Sequence, residues 1–225
     1  MMVTQVVSAT FPRSPALRPE ISQWCHSRGK RAFDICIGLA VLALTLPLFL
    51  VIAASVKLTS RGPALFKQKR VGCGGTEFQL LKFRTMTQGS EHYGPRLTCS
   101  GDTRVTRIGR VLRRWKLDEL PQLWNLLRGD MSLVGPRPDM AEFLSGLQGE
   151  EQHVLLLTPG ITGWATLHFR NEEELLALVP HAHLRDIYVH EVLPQKIKLD
   201  MTYAATATFS SDCGILLKTA IAIFR

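Results

Sequence analysis

Residues 35–56 form an unbroken run without a charged side chain, built largely from Leu, Ile, Val and Ala. At about 1.5 Å per residue, roughly 22 helical residues reach about 33 Å, enough to cross the ~30 Å hydrocarbon core of a bilayer. A secretory signal would lie nearer the N-terminus and carry a shorter apolar core of about 7–15 residues, so the run reads as a membrane helix. Pro47 sits near its middle, where it supplies no backbone donor and leaves the Ala43 carbonyl without its usual partner. A bend is expected there. Arg28, Lys30 and Arg31 precede the run, and Lys57, Arg61, Lys67, Lys69 and Arg70 follow it. Basic residues at both ends favour the cytosol for both flanks. A re-entrant hairpin and a kinked spanning helix satisfy these residues equally.

Around that segment the 225 residues divide into a flexible tail over 1–27, the membrane helix over 28–58 and a cytoplasmic-face domain over 59–225. The tail carries Pro12, Pro15 and Pro19 with no sustained periodicity. A formal net charge of +8 points to anionic partners: nucleic acid, acidic headgroups or phosphorylated metabolites. The five cysteines, Cys25, Cys36, Cys73, Cys99 and Cys213, are odd in number and contain no C-x-x-C pair. They fit neither a disulfide framework nor a zinc ribbon and read as reduced thiols.

Two short strands are expected over 64–69 and 78–83, joined by Gly72, Cys73, Gly74 and Gly75 as a hairpin. A phosphate-binding loop would need a Lys-Ser or Lys-Thr pair and a following helix, and neither is present. Over 106–127, Ile108, Val111, Leu112, Trp115, Leu120, Leu123, Trp124 and Leu127 recur at helical spacing. Arg107, Arg110, Arg113, Arg114 and Lys116 fill the other face, making a basic amphipathic stretch suited to an anionic membrane interface. At the C-terminal end, Leu193, Pro194, Ile197 and Leu199 lead into a polar stretch. The apolar run 215–224 that follows is too short to span and reads as an interfacial or a core helix, with Lys218 and Arg225 at its polar edge.

Among residues able to do chemistry, Asp118 is expected to open a helix as its N-cap, with Glu119 in the first turn, Pro121 where amide donors are unpaired, and Gly129 as the stop. Plain capping would explain such an aspartate. An ionised carboxylate there could equally attack phosphorus, helped by a helix end that attracts phosphate. Glu119 is a hard oxygen ligand of the kind that holds Mg²⁺ against nucleotide phosphates. Lys82, Arg84, Arg113, Arg114, Arg128 and Arg137 are cations available to offset phosphate charge. Pro136 and Pro138 restrain Arg137 on both sides, reducing the freedom it would lose on gripping an anion. His181 and His183 form a short His-x-His without a companion cysteine or carboxylate cluster and read as surface residues.

Several motifs in one order resemble the bacterial sugar transferase family, the monotopic polyprenyl-phosphate phosphoglycosyl transferases. They are Lys30, Arg31 and Asp34; Lys82-Phe83-Arg84-Thr85-Met86; Asp118-Glu119-Leu120-Pro121-Gln122-Leu123-Trp124-Asn125; Gly129-Asp130-Met131-Ser132-Leu133-Val134-Gly135-Pro136-Arg137-Pro138; and Pro159-Gly160-Ile161-Thr162-Gly163-Trp164. The match runs from about residue 28 to the C-terminus.

The resemblance implies a re-entrant helix broken near Pro47, entering and leaving on the cytoplasmic face of the bacterial inner membrane. The fold implied is α+β and mainly helical, with interfacial amphipathic helices around a small catalytic domain that carries the β-hairpin. It also implies that Asp118 attacks the β-phosphate of a UDP-sugar, releases UMP and passes the sugar phosphate to polyprenyl phosphate. Such a step opens glycoconjugate assembly. Glu119 would bind Mg²⁺, while Lys82, Arg84, Arg113 or Arg114, and Arg137 would neutralise phosphate; Asp212 is a further substrate-binding candidate. Membrane lipids and a second copy of the chain are compatible partners. Where the family usually places Gln after Pro-Gly-Ile-Thr-Gly, often followed by Val-Asn-Gly, this chain has Ala165, Thr166, Leu167 and His168, a departure that bears on sugar or nucleotide preference. The competing class is an inactive membrane-anchored nucleotide-sugar scaffold. Nucleic-acid binding rests on basicity alone and is set aside, since no aromatic residues interleave with the basic stripe in a reading module.

Overall fold

The computed structural model describes residues 21–90 and 97–223. The tail expected over residues 1–20, with Pro12, Pro15 and Pro19, lies outside the described residues, as do Phe224 and Arg225. Residues 21–27, assigned by sequence to that tail, instead pack on the body. Ser22 donates from its backbone N–H to the Ala204 carbonyl (2.8 Å) and from Oγ to the Ala207 carbonyl (2.7 Å), and Gln23–His26 form a 3₁₀ turn. The packed body therefore includes residues ahead of the long apolar helix.

Helix α1, Arg28–Thr59, opens where the Ser27 hydroxyl accepts from the Lys30 N–H (2.9 Å). The helix runs through Pro47 without the break into two helices that was expected. A proline's fixed φ is itself helical, so its cost is one lost hydrogen bond and local crowding. Nearby, the Thr45 hydroxyl donates to the Val41 carbonyl (2.7 Å). Lys30, Asp34 and Gly38, four residues apart in turn, are buried, and so are Ile52 and Val56 towards the other end. Leu39, Leu44, Leu46, Leu50 and Val51 between them are exposed, Leu44 by 83 %. Both ends of α1 thus rest on one body while the apolar middle does not.

At the first end, Asp34 accepts from the Ser132 hydroxyl (2.7 Å) and the Leu133 N–H (3.2 Å). Arg31 donates to the Leu126 and Leu127 carbonyls (2.6 and 2.9 Å), neutralising the end of a helix described below. At the second end, Ile52 and Val56 pack with Phe83 and Leu112, and the Phe49 and Phe83 rings lie 5.1 Å apart. Each such buried aliphatic side chain contributes about 1.5–3 kcal/mol.

Strands β1, Leu65–Val71, and β2, Glu77–Phe83, pair antiparallel from Leu65 opposite Phe83 to Val71 opposite Glu77. This is the expected hairpin, each strand one residue longer than its apolar pattern indicated. Period-two alternation turns Phe66, Gln68 and Arg70 inward and leaves Lys67 and Lys69 in solvent. Helix α2, Arg107–Arg114, is capped by the Thr106 hydroxyl, which accepts from the Gly109 N–H (3.0 Å). Helix α3, Gln122–Arg128, ends as expected at Gly129, whose φ of 97° lets its N–H reach the Asn125 and Leu126 carbonyls.

Strand β3, Ser132–Val134, pairs in parallel with β4, Gly160–Thr162. Three-residue strands carry too little periodicity to read from sequence. Short helices α4, Ala141–Leu144, α5, Trp164–His168, α6, Glu172–Ala177, and α7, Leu184–Ile187, lead through a π-turn at Tyr188–Val192 into α8, Leu193–Thr206, and α9, Phe209–Ile223. The polar stretch before residue 215 is helical over most of its length. Pro194 suits the first turn of α8, and burial of Ile197, Met201 and Ala204 supplies the stabilisation that composition did not advertise. Helix α9 buries Asp212 and Ile215 but leaves Leu217 and Ile221 exposed.

Candidate active site

The single amphipathic helix expected over 106–127 is divided at Lys116, which adopts φ 53°. A non-glycine residue in the left-handed region reverses the chain direction at a cost in strain that spacing does not reveal. A 3₁₀ turn, Leu117–Glu119, follows, and α3 begins only at Gln122, capped by Pro121 without a side-chain bond. Asp118 is accordingly not an N-cap. Its side chain is buried, and Oδ1 has no hydrogen-bond partner in the protein.

Glu119 is the opposite case. Its Oε1 accepts from Arg137 Nη2 (2.6 Å) and Lys82 Nζ (3.1 Å), and Oε2 from Arg137 Nη1 (3.4 Å). Burial pushes the Asp118 carboxyl upward, opposed by the Lys82 cation and reinforced by the Glu119 charge. Burial would also raise Glu119, but Arg137 and Lys82 outweigh it and hold that carboxyl well below its usual range. Burial lowers Lys82 against the pull of Glu119, whereas the Glu119 charge raises Arg137. Two adjacent carboxyls are thus driven apart. One is an ion-paired anchor, and the other carries an uncommitted oxygen.

Asp118, Lys82, Arg84, Arg113 and Arg137 line a cavity of about 360 Å³, and Glu119 lies behind its wall. The inward face of the hairpin supplies Phe66, Gln68 and Arg70 to the same wall. Arg113 donates to Glu173 Oε1 (2.7 Å) and faces the cavity. Arg114 does not line it; it is exposed, its guanidinium 5.9 Å from the centre of the Trp115 ring. Arg128 likewise lies over Trp124. Of the two arginines proposed ahead of the dyad, Arg113 is the one brought to the site.

Asp212 is not brought there. It is fully buried and accepts from Lys30 Nζ (2.6 Å), the Tyr203 hydroxyl (2.6 Å) and Trp24 Nε1 (2.9 Å). Those three partners tie the N-terminal turn, α1, α8 and α9 together, a structural role. Ala165, Thr166, Leu167 and His168 are not among the residues lining the cavity. His181 and His183 are exposed.

A second group on the wall carried no sequence signal. The Tyr188 hydroxyl donates to Asp139 Oδ2 (2.9 Å), Arg70 Nη1 donates to the Pro138 carbonyl (3.1 Å), and Lys196 Nζ bonds both Glu172 Oε2 (3.0 Å) and the Tyr188 oxygen (3.2 Å). These residues come from four separated segments. Only the position of Asp139, directly after Pro138, hinted at a place near the site.

Among the described residues no cluster of three or more His, Cys, Asp or Glu could hold a metal alone. Mg²⁺ is commonly bound by one or two carboxylates, with waters and substrate phosphates completing its octahedron. The unpartnered Asp118 Oδ1 is an oxygen of the kind such a substrate-completed site uses, whereas both Glu119 oxygens already accept from Arg137 or Lys82.

The sequence pattern described as "Bacterial sugar transferase" matches residues 25–225. A UDP-glucose:undecaprenyl-phosphate glucose-1-phosphate transferase of Caulobacter vibrioides is 40 % identical over 194 residues, covering 84 % of this chain and 67 % of the relative. A UDP-N-acetylgalactosamine-undecaprenyl-phosphate N-acetylgalactosaminephosphotransferase of Aeromonas hydrophila is 45 % identical over 139 residues, 60 % of this chain and 33 % of the relative. An undecaprenyl-phosphate glucose phosphotransferase of Komagataeibacter xylinus is 38 % identical over 209 residues, 90 % of this chain and 37 % of the relative. The chain spans about a third of the length of the last two.

Proposed function

The chain belongs to the bacterial sugar transferase family, and on that premise we propose that it moves a sugar 1-phosphate from a UDP-sugar to a polyprenyl phosphate such as undecaprenyl phosphate. The observation that carries this reading is Asp118: a buried carboxylate with an unpartnered oxygen, facing a cavity walled by guanidinium and ammonium groups. That arrangement suits attack on a phosphorus whose oxygens the cations neutralise.

In the first step an Asp118 oxygen bonds to the β-phosphorus. The bond from that phosphorus to the bridging oxygen breaks, and UMP leaves with the electron pair. In the second step a phosphate oxygen of the lipid attacks the same phosphorus and returns the carboxylate. Glu119 holds Arg137 and Lys82 in place across both steps. When bound through Glu119, Mg²⁺ would supply positive charge to the donor's phosphates.

The membrane reading is a re-entrant α1, bent at Pro47 without dividing into two helices, with both ends on the cytoplasmic face of the inner membrane. It is supported by the burial of both ends against one body, with the exposed apolar residues lying around Pro47. Cysteines introduced at positions 28 and 57 should react from the same side of sealed vesicles; labelling from opposite sides refutes the hairpin.

The reaction is tested with the full chain in membranes, Mg²⁺ and a panel of UDP-sugars labelled in the β-phosphate. The label should become trapped on protein as UMP appears. Absence of both from a folded sample favours an inactive scaffold. Because Asp118 must be ionised to attack and burial raises its carboxyl, loading should fail with acid at a pH above the ordinary aspartate value of 3.8. A limb at or below that value contradicts the assignment.

A further inference from the structure

The cations of the cavity wall are unequal. Among the described residues Lys82 and Arg137 are paired with Glu119, Arg113 with Glu173, Arg70 with Asp139, Arg104 with Asp102 and Lys196 with Glu172. Arg84 lines the same cavity, is only 6 % exposed and is within ion-pair distance of no carboxylate among the described residues. Its Nη2 donates to the carbonyl and hydroxyl oxygens of Ser60, both at 2.8 Å, while Nε and Nη1 are buried without a partner. A buried guanidinium with two unused donors is costly unless an acceptor completes it, and a phosphate oxygen is a strong, charged acceptor for such a donor.

Position decides which phosphate. Ser60 caps the apolar helix, its N–H and hydroxyl both reaching the Val56 carbonyl (3.2 and 3.1 Å). The Arg84 N–H donates to the Ala64 carbonyl (2.9 Å), which fixes the guanidinium where the chain leaves the membrane segment. Gly62, at φ 110°, passes so close that a Cβ there would collide with Arg84 Nη1.

We propose that Arg84 seats the phosphate of the membrane-lipid acceptor, at the bilayer end of a cavity whose other cations are balanced by carboxylates. This rests on the transferase reading and adds to it a division of the site into donor and acceptor ends. The acceptor's phosphate monoester would accept from one of these two donors, which face different sides of the guanidinium, holding its attacking oxygen towards the phosphorus carried by Asp118.

The two half-reactions separate the acceptor's phosphate from the donor's. With the full chain in nanodiscs, UDP-sugar alone reports loading as a UMP burst, and added undecaprenyl phosphate reports discharge. Arg84→Gln should raise the KM for the lipid phosphate by roughly tenfold or more, the loss expected for one charged hydrogen-bonded contact. It should slow the burst by less than about threefold. Ser60→Ala, which removes one of the two anchors, should shift the same KM in the same direction and serves if Arg84→Gln does not fold. A burst reduced in parallel with turnover would assign Arg84 to the donor and overturn the proposal, as would an unaltered lipid KM. Failure of the parent to give any burst would instead remove the transferase reading itself.

Discussion

Asp118→Asn leaves no sugar phosphate trapped on the protein and lowers UMP release by roughly 10³-fold or more, since the attacking oxygen is lost while the binding groups stay. The same change should not destabilise the fold. Burial raises the Asp118 carboxyl above its unfolded value of 3.8, so at neutral pH the ionised side chain opposes folding. That penalty is absent below the unfolded value and grows as pH rises through it towards the folded one. A neutral amide removes it, and the melting temperature should equal or exceed that of the parent at pH 7. Stability given up for a reactive group is a common pattern at functional sites. A variant that turns over at the parent rate would falsify the nucleophile assignment, and one that is inactive because it has unfolded would contradict the electrostatics.

Asp212→Ala has the reverse signature. The change strands the Lys30 ammonium, itself nearly buried, and leaves the Tyr203 hydroxyl and Trp24 N–H without their acceptor. Removing one member of a buried ion pair costs about 3–5 kcal/mol. For a chain of this size that lowers the melting temperature by roughly 10 °C. At a temperature where the variant remains folded, the KM for UDP-sugar should change by less than about twofold. A variant of parental stability that fails only in donor binding would restore Asp212 to the site.

The two aspartates show what the sequence could and could not convey. Asp118 and Asp212 both appear as acidic residues near helix starts, and motif position offered both as site candidates. Only the packing separates them: one faces a cavity with an unused oxygen, the other is enclosed by three donors. Arg113 and Arg114 are neighbours of identical chemistry, and helical rotation sends one to the cavity and the other to solvent. Lys116 looked like one more basic residue on an amphipathic face, yet its left-handed backbone ends α2 and turns Asp118 inward. Arg84 was one cation among several until the pairing of its neighbours left it unmatched.

What the chain's order of residues determined was whatever depends on nearest neighbours and short periods: the apolar length of α1, the glycine-rich reversal of the hairpin, the stop at Gly129 and the prolines around Arg137. These follow from side-chain transfer energies and backbone sterics acting over a few residues. The tertiary structure alone decided which charges meet, because pairing and desolvation depend on distances between segments far apart in the chain. Carboxyls of similar acidity in solution became a buried group with an unused oxygen, an ion-paired anchor and a structural tie through their surroundings.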